Sequence, residues 1–222
     1  LKESGIVKKI GVSAYSNSEI CSVLKNRGIE IIELQHGLIG ATHRGYNYAI
    51  KNALLPIPEK VNVYNDFWKE ELVRAGYFSE NDINVTGRLK YQLVNKNISS
   101  LDGNSIVFTG QGGFYKEIKD LFMGSMGYLS RNDMRLVYIP HPNEDRKSLS
   151  LLKRAVAELE NITILEGGMF TTEQYIYNSI AHISIYSSCH FDAIHYKNKT
   201  YIFDIMNDNP MEYYSTHFKE SF

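Results

Sequence analysis

The chain has 222 residues, which is enough for one large domain or two small ones. Hydrophobic residues make up 43%, charged residues 22%, and only 5 residues are proline, so disordered and collagen-like chains are excluded. The formal net charge of -1 excludes a global positive field that would attract nucleic acid. Two widely separated cysteines, Cys21 and Cys189, predict free thiols in a reducing compartment.

The first part of the chain alternates strand-like and helix-like segments. Apolar, β-branched runs predict strands, and amphipathic segments that end at glycine predict helices. The predicted strands are 10–14, 29–34, 61–64 and 83–85, and the predicted helices are 18–25 and 67–75. This alternation is typical of an α/β domain, which we place at residues 1–98.

A polar bridge at 95–104 precedes a second alternating series, which we assign to a domain at residues 99–222. Its predicted strands are 105–109, 135–139, 162–165, 183–185 and 200–203, and its predicted helices are 114–123, 147–159, 172–178 and 189–196. The two series predict an α/β protein with two Rossmann-like, doubly wound units. The first unit has fewer strands than a complete one and is expected to be incomplete.

Polar and glycine-rich sequences follow four of the predicted strands. In open parallel sheets, ligands bind beyond the carboxyl ends of the strands, so these positions are candidate site residues. They are Gln35-His36-Gly37, Thr109-Gly110-Gln111-Gly112-Gly113, His141-Pro142 and Ser187-Ser188. Their clustering at strand ends is the main functional signal in the sequence.

The serine pair and the proline-flanked histidine are candidate phosphate ligands. Ser187 and Ser188 open a predicted helix, where hydroxyls and backbone N–H groups suit an anion, although a serine N-cap needs no ligand. His141 lies between Pro140 and Pro142, which stiffen the backbone and would hold the imidazole in one direction. An ordinary turn histidine explains the same pattern.

Two further strand ends carry weaker signals. His36 precedes Gly37, which permits a tight turn toward a cleft, and imidazole is the side chain best suited to accept a proton at neutral pH. A plain surface loop is the alternative. The turn at Gly110, Gln111 and Gly112 would allow close approach to a ligand but lacks the Walker lysine. Gly167 lies in a similar turn, which is either structural or part of a nucleoside pocket.

Two enzyme classes lack their usual motifs. The seven histidines include no His-Glu-x-x-His pattern, and His190 and His195 are five positions apart, so we predict no metal site. No Gly-x-Ser-x-Gly elbow occurs, which disfavours a serine hydrolase. Thr86-Gly87-Arg88, by contrast, is a positive signal: it follows the predicted strand 83–85 and places a cation at the carboxyl end of that strand, where ligands bind.

Taken in their order along the chain, these motifs resemble those of the GT-B glycosyltransferase superfamily, particularly those of bacterial surface-polysaccharide enzymes. His141-Pro142 resembles the His-Pro motif, and Ser187-Ser188 the serine motif, of bacterial sialyltransferases, polysialyltransferases and capsule Kdo transferases. The stretch 186–192 and His36-Gly37 are also similar to motifs of CDP-glycerol glycerophosphotransferases, as is Thr86-Gly87-Arg88.

The resemblance implies a glycosyltransferase of bacterial surface polysaccharide, capsule or lipooligosaccharide synthesis that uses a CMP-activated sugar of the sialic acid or Kdo type. It implies catalytic roles for His36 and His141 and a donor site at Gly110, Gln111, Gly112, His141, Pro142, Gly167, Ser187 and Ser188. The expected partners are the nucleotide-sugar donor and a carbohydrate acceptor, without metal, cofactor or nucleic acid. The expected location is the cytoplasm, with peripheral association at the inner face of the membrane.

Three alternatives stay open at this point. The same motifs fit transfer of a polyol phosphate from CDP-glycerol, or a non-catalytic α/β binding or scaffolding module. A nucleotide-sugar 2-epimerase of the same architecture is disfavoured, because no matching set of acidic and basic residues is found. The small first domain also implies that the chain is the carboxy-terminal part of a longer enzyme.

Overall fold

The computed structural model describes residues 8–12, 18–40, 43, 46, 57–88, 91, 101, 103–165, 170–205 and 210–222. The chain divides into two compact units, Leu1–Gln92 and Leu93–Phe222, and each contains a parallel sheet with helices. The predicted α/β class with two Rossmann-like units is confirmed. The predicted boundary between residues 98 and 99 lies outside the described residues.

The first unit contains a four-stranded parallel sheet in the order β1-β2-β3-β4. Its strands are β1 (Lys9–Val12), β2 (Glu30–Leu34), β3 (Lys60–Val63) and β4 (Ile83–Val85), and its helices are α1 (Ser18–Lys25) and α2 (Asp66–Ala75). A short 3-10 turn at Glu80–Asp82 precedes β4. The carboxyl ends of β2, β3 and β4 are therefore neighbours at one edge of this sheet.

Helix α2 begins and ends where the sequence provides a cap. The side chain of Asn65 accepts a hydrogen bond from the backbone N–H of Trp68 at 3.3 Å, which satisfies one of the first-turn donors. Gly76 ends the helix with φ of 85°, a left-handed conformation that suits glycine. Trp68 and Leu72 bury the inner face of the helix against the sheet.

The second unit contains a five-stranded parallel sheet in the order β7-β6-β5-β8-β9. Its strands are β5 (Ser105–Thr109), β6 (Arg135–Ile139), β7 (Ile162–Ile164), β8 (Ala181–Ser184) and β9 (Lys199–Ile202). Its helices are α3 (Tyr115–Arg131), α4 (Arg146–Val156), α5 (Thr172–Tyr177), α6 (Cys189–His195) and α7 (Glu212–His217). The strand order reverses between β5 and β8, and such reversal points are where open α/β sheets bind ligands.

The core of the second unit is aromatic around β5 and β6. The rings of Phe108 and Tyr138 are stacked with centroids 5.5 Å apart, and Phe122 contacts Tyr138 edge-on at 5.5 Å. All three side chains are fully buried. This packing fixes the ends of β5 and β6, from which two of the candidate loops emerge.

Two helices differ from the sequence expectation. Helix α3 continues to Arg131, eight residues beyond the predicted end at residue 123, because Gly124 and Gly127 are tolerated within it while Ile118, Phe122 and Leu129 continue its buried face. Helix α7 was not predicted. Within the described parts of the chain, no helix has both the length and the apolar character needed to cross a membrane.

Candidate functional site

His141 follows β6 and its imidazole is held in one tautomer. The backbone N–H of Asn143 donates to its Nδ1 at 3.1 Å, so Nδ1 carries a lone pair and the neutral ring carries its proton on Nε2. The side chain is half-buried and lines a cavity of about 760 Å³. Nε2 of His141 is therefore a hydrogen-bond donor of the kind that can bind a phosphate oxygen.

Glu144 clamps the loop that carries His141. Its carboxylate accepts hydrogen bonds from the Tyr138 hydroxyl at 2.8 Å and from the His141 backbone N–H at 3.1 Å. Burial, together with this carboxylate, raises the pKa of Tyr138, which keeps the phenol protonated as a donor. Glu144 was not predicted from the sequence, because no short motif marks it and its partner Tyr138 lies six positions earlier in a strand.

Position 110 has no room for a side chain, because Gly110 packs directly against Tyr138 and Glu144. Its backbone N–H donates to the carbonyl of Ile139 at 2.8 Å, which ties the end of β5 to the end of β6. A Cβ atom at Gly110 would lie 2.3 Å from the Tyr138 hydroxyl and 2.9 Å from Glu144 Oε2. The glycine turn and the histidine loop therefore form one closely packed structure. Gln111 and Gly112 follow it and are half-buried.

Ser187 and Ser188 follow β8 on the other side of β5. The Ser187 hydroxyl accepts a hydrogen bond at 3.2 Å from the backbone N–H of Cys189, the first residue of α6, and so satisfies one first-turn donor without a ligand. Ser188 makes no side-chain cap hydrogen bond and is half-buried. One strand, β5, separates the ends of β6 and β8, which corresponds to about 10 Å at the usual strand spacing.

A buried polar network joins the strands next to this serine pair. Nε2 of His182 lies 2.9 Å from the Thr109 hydroxyl, and its Nδ1 lies 2.8 Å from the Thr200 hydroxyl. Nδ1 of His190 lies 2.6 Å from the same Thr200 oxygen, and the Ser184 hydroxyl donates to the Thr109 carbonyl at 2.7 Å. Thr109 precedes the Gly110 turn, so the network fixes the residue from which that turn begins.

Both histidines of the network are neutral in the folded chain. Burial, and secondarily the neighbouring His190, lowers the pKa of His182 well below its ordinary value. Burial lowers the pKa of His190 to about 3. This network was not predicted from the sequence, because His182 lies inside a strand and Thr200 joins it through the pairing of β8 with β9.

The cavity beside His141 extends away from the serine pair. Pro142 lines it with His141, and the other lining residues include two cations and two aromatic rings: Arg146, Lys153, Phe170 and Tyr175. Gly110, Gln111, Gly112, Ser187 and Ser188 do not line it. Gly167 lies outside the described residues. The candidate donor residues that the structure describes thus share one sheet edge, and of these His141 and Pro142 border the cavity.

In the first unit, the loop after β2 holds His36 by its backbone. The His36 N–H donates to the Tyr46 hydroxyl at 3.1 Å, and that hydroxyl donates to the buried carboxylate of Glu33 at 2.7 Å. The Gln35 side chain donates to the Gly37 carbonyl at 3.0 Å. The His36 side chain is exposed, so a fixed backbone presents an accessible imidazole.

A second imidazole, that of His43, lies close to this loop. Its ring contacts the Tyr46 ring edge-on, with centroids 5.0 Å apart. Burial lowers the pKa of His43, and the nearby His36 lowers it further. The two imidazoles are therefore near enough to interact electrostatically. Within the described residues, no group of three or more His, Cys, Asp and Glu side chains could hold a metal ion.

No protein-family model matches the chain, and no curated protein sequence matches it. Solved structures do resemble it. A UDP-GlcNAc 2-epimerase from Methanocaldococcus jannaschii in complex with UDP-GlcNAc and UDP has 18% sequence identity and a TM-score of 0.62, covering 95% of this chain and 63% of that one. The S. aureus MnaA-UDP structure has 14% identity and a TM-score of 0.62, covering 88% and 57%.

A third similar structure is a variant of the wall teichoic acid polymerase TagF with CDPG, at 16% identity and a TM-score of 0.52, covering 80% of this chain and 50% of that one. The chain therefore spans about three fifths or less of the length of these proteins. At these identities the similarity shows the fold alone, which is a Rossmann-like α/β fold.

Proposed function

We propose that the chain is part of a bacterial glycosyltransferase that transfers a sugar from a CMP-activated donor to a carbohydrate of a surface polysaccharide. The donor would bind at the carboxyl edge of the second unit, and the enzyme would work in the cytoplasm at the inner face of the membrane. The observation that carries the proposal is the convergence at that edge: the Gly110 turn, His141 and Ser188 follow the three neighbouring strands β5, β6 and β8.

His141 is the proposed donor to the nucleotide phosphate. Its tautomer supports this role, because Nδ1 already accepts from the Asn143 backbone and Nε2 must carry the proton of the neutral ring. As the bond between the sugar carbon and the phosphate breaks, its electron pair moves onto the phosphate oxygen. A fixed N–H donor stabilises that growing charge without reorganising.

The cavity next to His141 is the proposed place of the nucleoside. Its volume of about 760 Å³ suits a nucleotide-sized ligand, and Phe170 and Tyr175 provide aromatic surface for a base. Structures of similar fold contain UDP-GlcNAc, UDP or CDPG, which is consistent with a nucleotide at this unit.

His36 is the proposed general base. The acceptor hydroxyl oxygen would form the new bond to the donor carbon, and its proton would move to the exposed imidazole. The hydrogen bond between the His36 backbone and Tyr46 supports the role, because a base must be held in one position to act.

The second candidate is polyol-phosphate transfer from CDP-glycerol. The similarity to the TagF structure with CDPG favours it, and the same His141 donor would serve a reaction at phosphorus. Both candidates release CMP, but their donors differ: a CMP-activated sugar carries one phosphate, whereas CDP-glycerol carries two, so CDP resembles only the second donor.

Thermal-shift titrations with CMP, CDP and UDP test the proposal. We expect CMP to raise the unfolding temperature of the chain and His141→Ala to abolish that rise, since a ligand that binds only the folded state stabilises it. A larger rise with CDP favours the second candidate. His217→Ala is the matched control, because His217 is an exposed histidine that does not line the cavity beside His141. The proposal is contradicted if all three nucleotides shift the unfolding temperature equally, both in the unchanged chain and in His141→Ala.

A further inference from the structure

Tyr64 joins the ends of three strands in the first unit. Its hydroxyl donates to the Gln35 carbonyl after β2 at 2.7 Å, and its backbone N–H donates to the Gln35 side chain at 2.9 Å. The guanidinium carbon of Arg88, which follows β4, lies 5.2 Å from the centroid of the Tyr64 ring. Arg88 and the loop of His36 are therefore gathered around one tyrosine at the carboxyl edge of the sheet.

Two aromatic rings hold the Arg88 guanidinium. Besides the contact with Tyr64, its central carbon lies 5.3 Å from the centroid of the Tyr91 ring, and Nη1 is 3.5 Å from the Tyr91 hydroxyl. The contacts with the two rings and the hydrogen bond from Nη1 to Tyr91 hold the guanidinium in one place. A guanidinium has five N–H donors in a rigid, planar fork, which suits bidentate binding of a carboxylate or phosphate.

The ionisable groups of this edge also favour an anion. Arg88 is accompanied by the imidazoles of His36 and His43. The carboxylate of Glu33 is buried and accepts the Tyr46 hydroxyl, so it lies below the edge. Two carboxylates on α2, the helix after β3, face the same region: Asp66 is exposed at its start, whereas Glu71 is buried and accepts from Arg74.

We infer that this edge binds an anionic group of the acceptor, either a phosphate or a carboxylate, with Arg88 as its bidentate donor. That the anion belongs to the acceptor rests on the proposed function, whereas the binding of an anion at Arg88 does not. A phosphate would come from a polyol-phosphate acceptor and a carboxylate from an acidic sugar. In both cases the anion would lie beside the loop of His36 and bring a neighbouring hydroxyl toward that imidazole.

Isothermal titration of the full chain with three probes tests the inference. The probes are glycerol 3-phosphate, N-acetylneuraminate and neutral glycerol. We expect one or both anions to bind, glycerol not to bind, and Arg88→Gln to weaken anion binding roughly tenfold or more. Arg88→Lys should restore binding only in part, because an ammonium group keeps the charge but not the planar fork. The tighter anion identifies the source of the group.

Arg27→Gln is the matched control, since Arg27 is exposed in the turn between α1 and β2, at the opposite edge of the same sheet. The inference is overturned if no anion binds, if Arg27→Gln weakens binding as much as Arg88→Gln, or if Arg88→Gln weakens CMP binding instead. Circular dichroism of each variant checks that it is folded. CMP titration of the same samples separates a failure here from a failure of the proposed function.

Discussion

The Tyr138 hydroxyl donates to the Glu144 carboxylate at 2.8 Å, and this bond ties the loop of His141 to the buried core of the second unit. Tyr138 is fully buried and stacks on Phe108, so the phenol cannot move without disturbing the sheet. The carboxylate it holds also accepts the His141 backbone N–H. The position of His141 is thus set by contacts with the core as well as by the prolines beside it.

Gly110→Ala is expected to destabilise the chain by about 1–3 kcal/mol, because the new methyl group overpacks the clamp. Its Cβ would lie 2.3 Å from the Tyr138 hydroxyl, and a fully buried ring has little room to yield. Urea unfolding measures the change. In Gly124→Ala, the control, the Cβ meets nothing within 4 Å in an exposed part of α3, and a stabilisation of about 0.5–1 kcal/mol is expected. Equal effects of the two substitutions would count against the clamp.

His141→Gln and His141→Asn should separate the two ring nitrogens of His141. A glutamine amide reaches the place of Nε2 and can donate there, whereas the shorter asparagine reaches the place of Nδ1 and can only replace the acceptor for Asn143. We expect His141→Gln to keep part of the nucleotide-dependent thermal shift and His141→Asn to lose it. If His141→Asn keeps the thermal shift and His141→Gln loses it, the N–H at Nε2 is not the group that binds the nucleotide.

The buried histidine network predicts a loss of stability in acid. His182 and His190 have pKa values lowered in the folded chain, that of His190 to about 3, whereas unfolded histidine titrates at about 6.5. Between these values the unfolded state binds more protons, so stability rises with pH across this window and is lost as the pH falls below about 6.5. Each histidine contributes at most about 1.4 kcal/mol per pH unit.

Urea unfolding at about pH 7 and about pH 5 measures this dependence, since most carboxylates are still ionised there. The variant His190→Gln should show a smaller difference between the two conditions than the unchanged chain. His195→Gln, at an exposed position on the same helix, should keep the full difference. If both variants keep it, the titrating groups lie elsewhere.

The α/β class and the positions of the loops followed from the sequence, because buried parallel strands are continuous apolar runs and polar residues mark their ends. Gln35-His36-Gly37 and His141-Pro142 could be found in this way. Glu144, Tyr46 and Thr200 could not, because each acquires its role from a partner on another strand or loop. Strand order decides these contacts, and local patterns do not encode which parallel strands become neighbours.

Tyr46→Phe tests whether the backbone of His36 must be held. The substitution removes the acceptor of the His36 N–H and the donor to the buried Glu33 carboxylate, so a destabilisation of about 1–3 kcal/mol is expected. Amide hydrogen exchange at residues 35–40 should become faster, and turnover in the proposed reaction should fall while CMP binding stays unchanged. Tyr128→Phe, on an exposed part of α3, should change none of these quantities. Unchanged exchange at His36 in Tyr46→Phe would mean that the loop is held by Gln35 and Tyr64 alone.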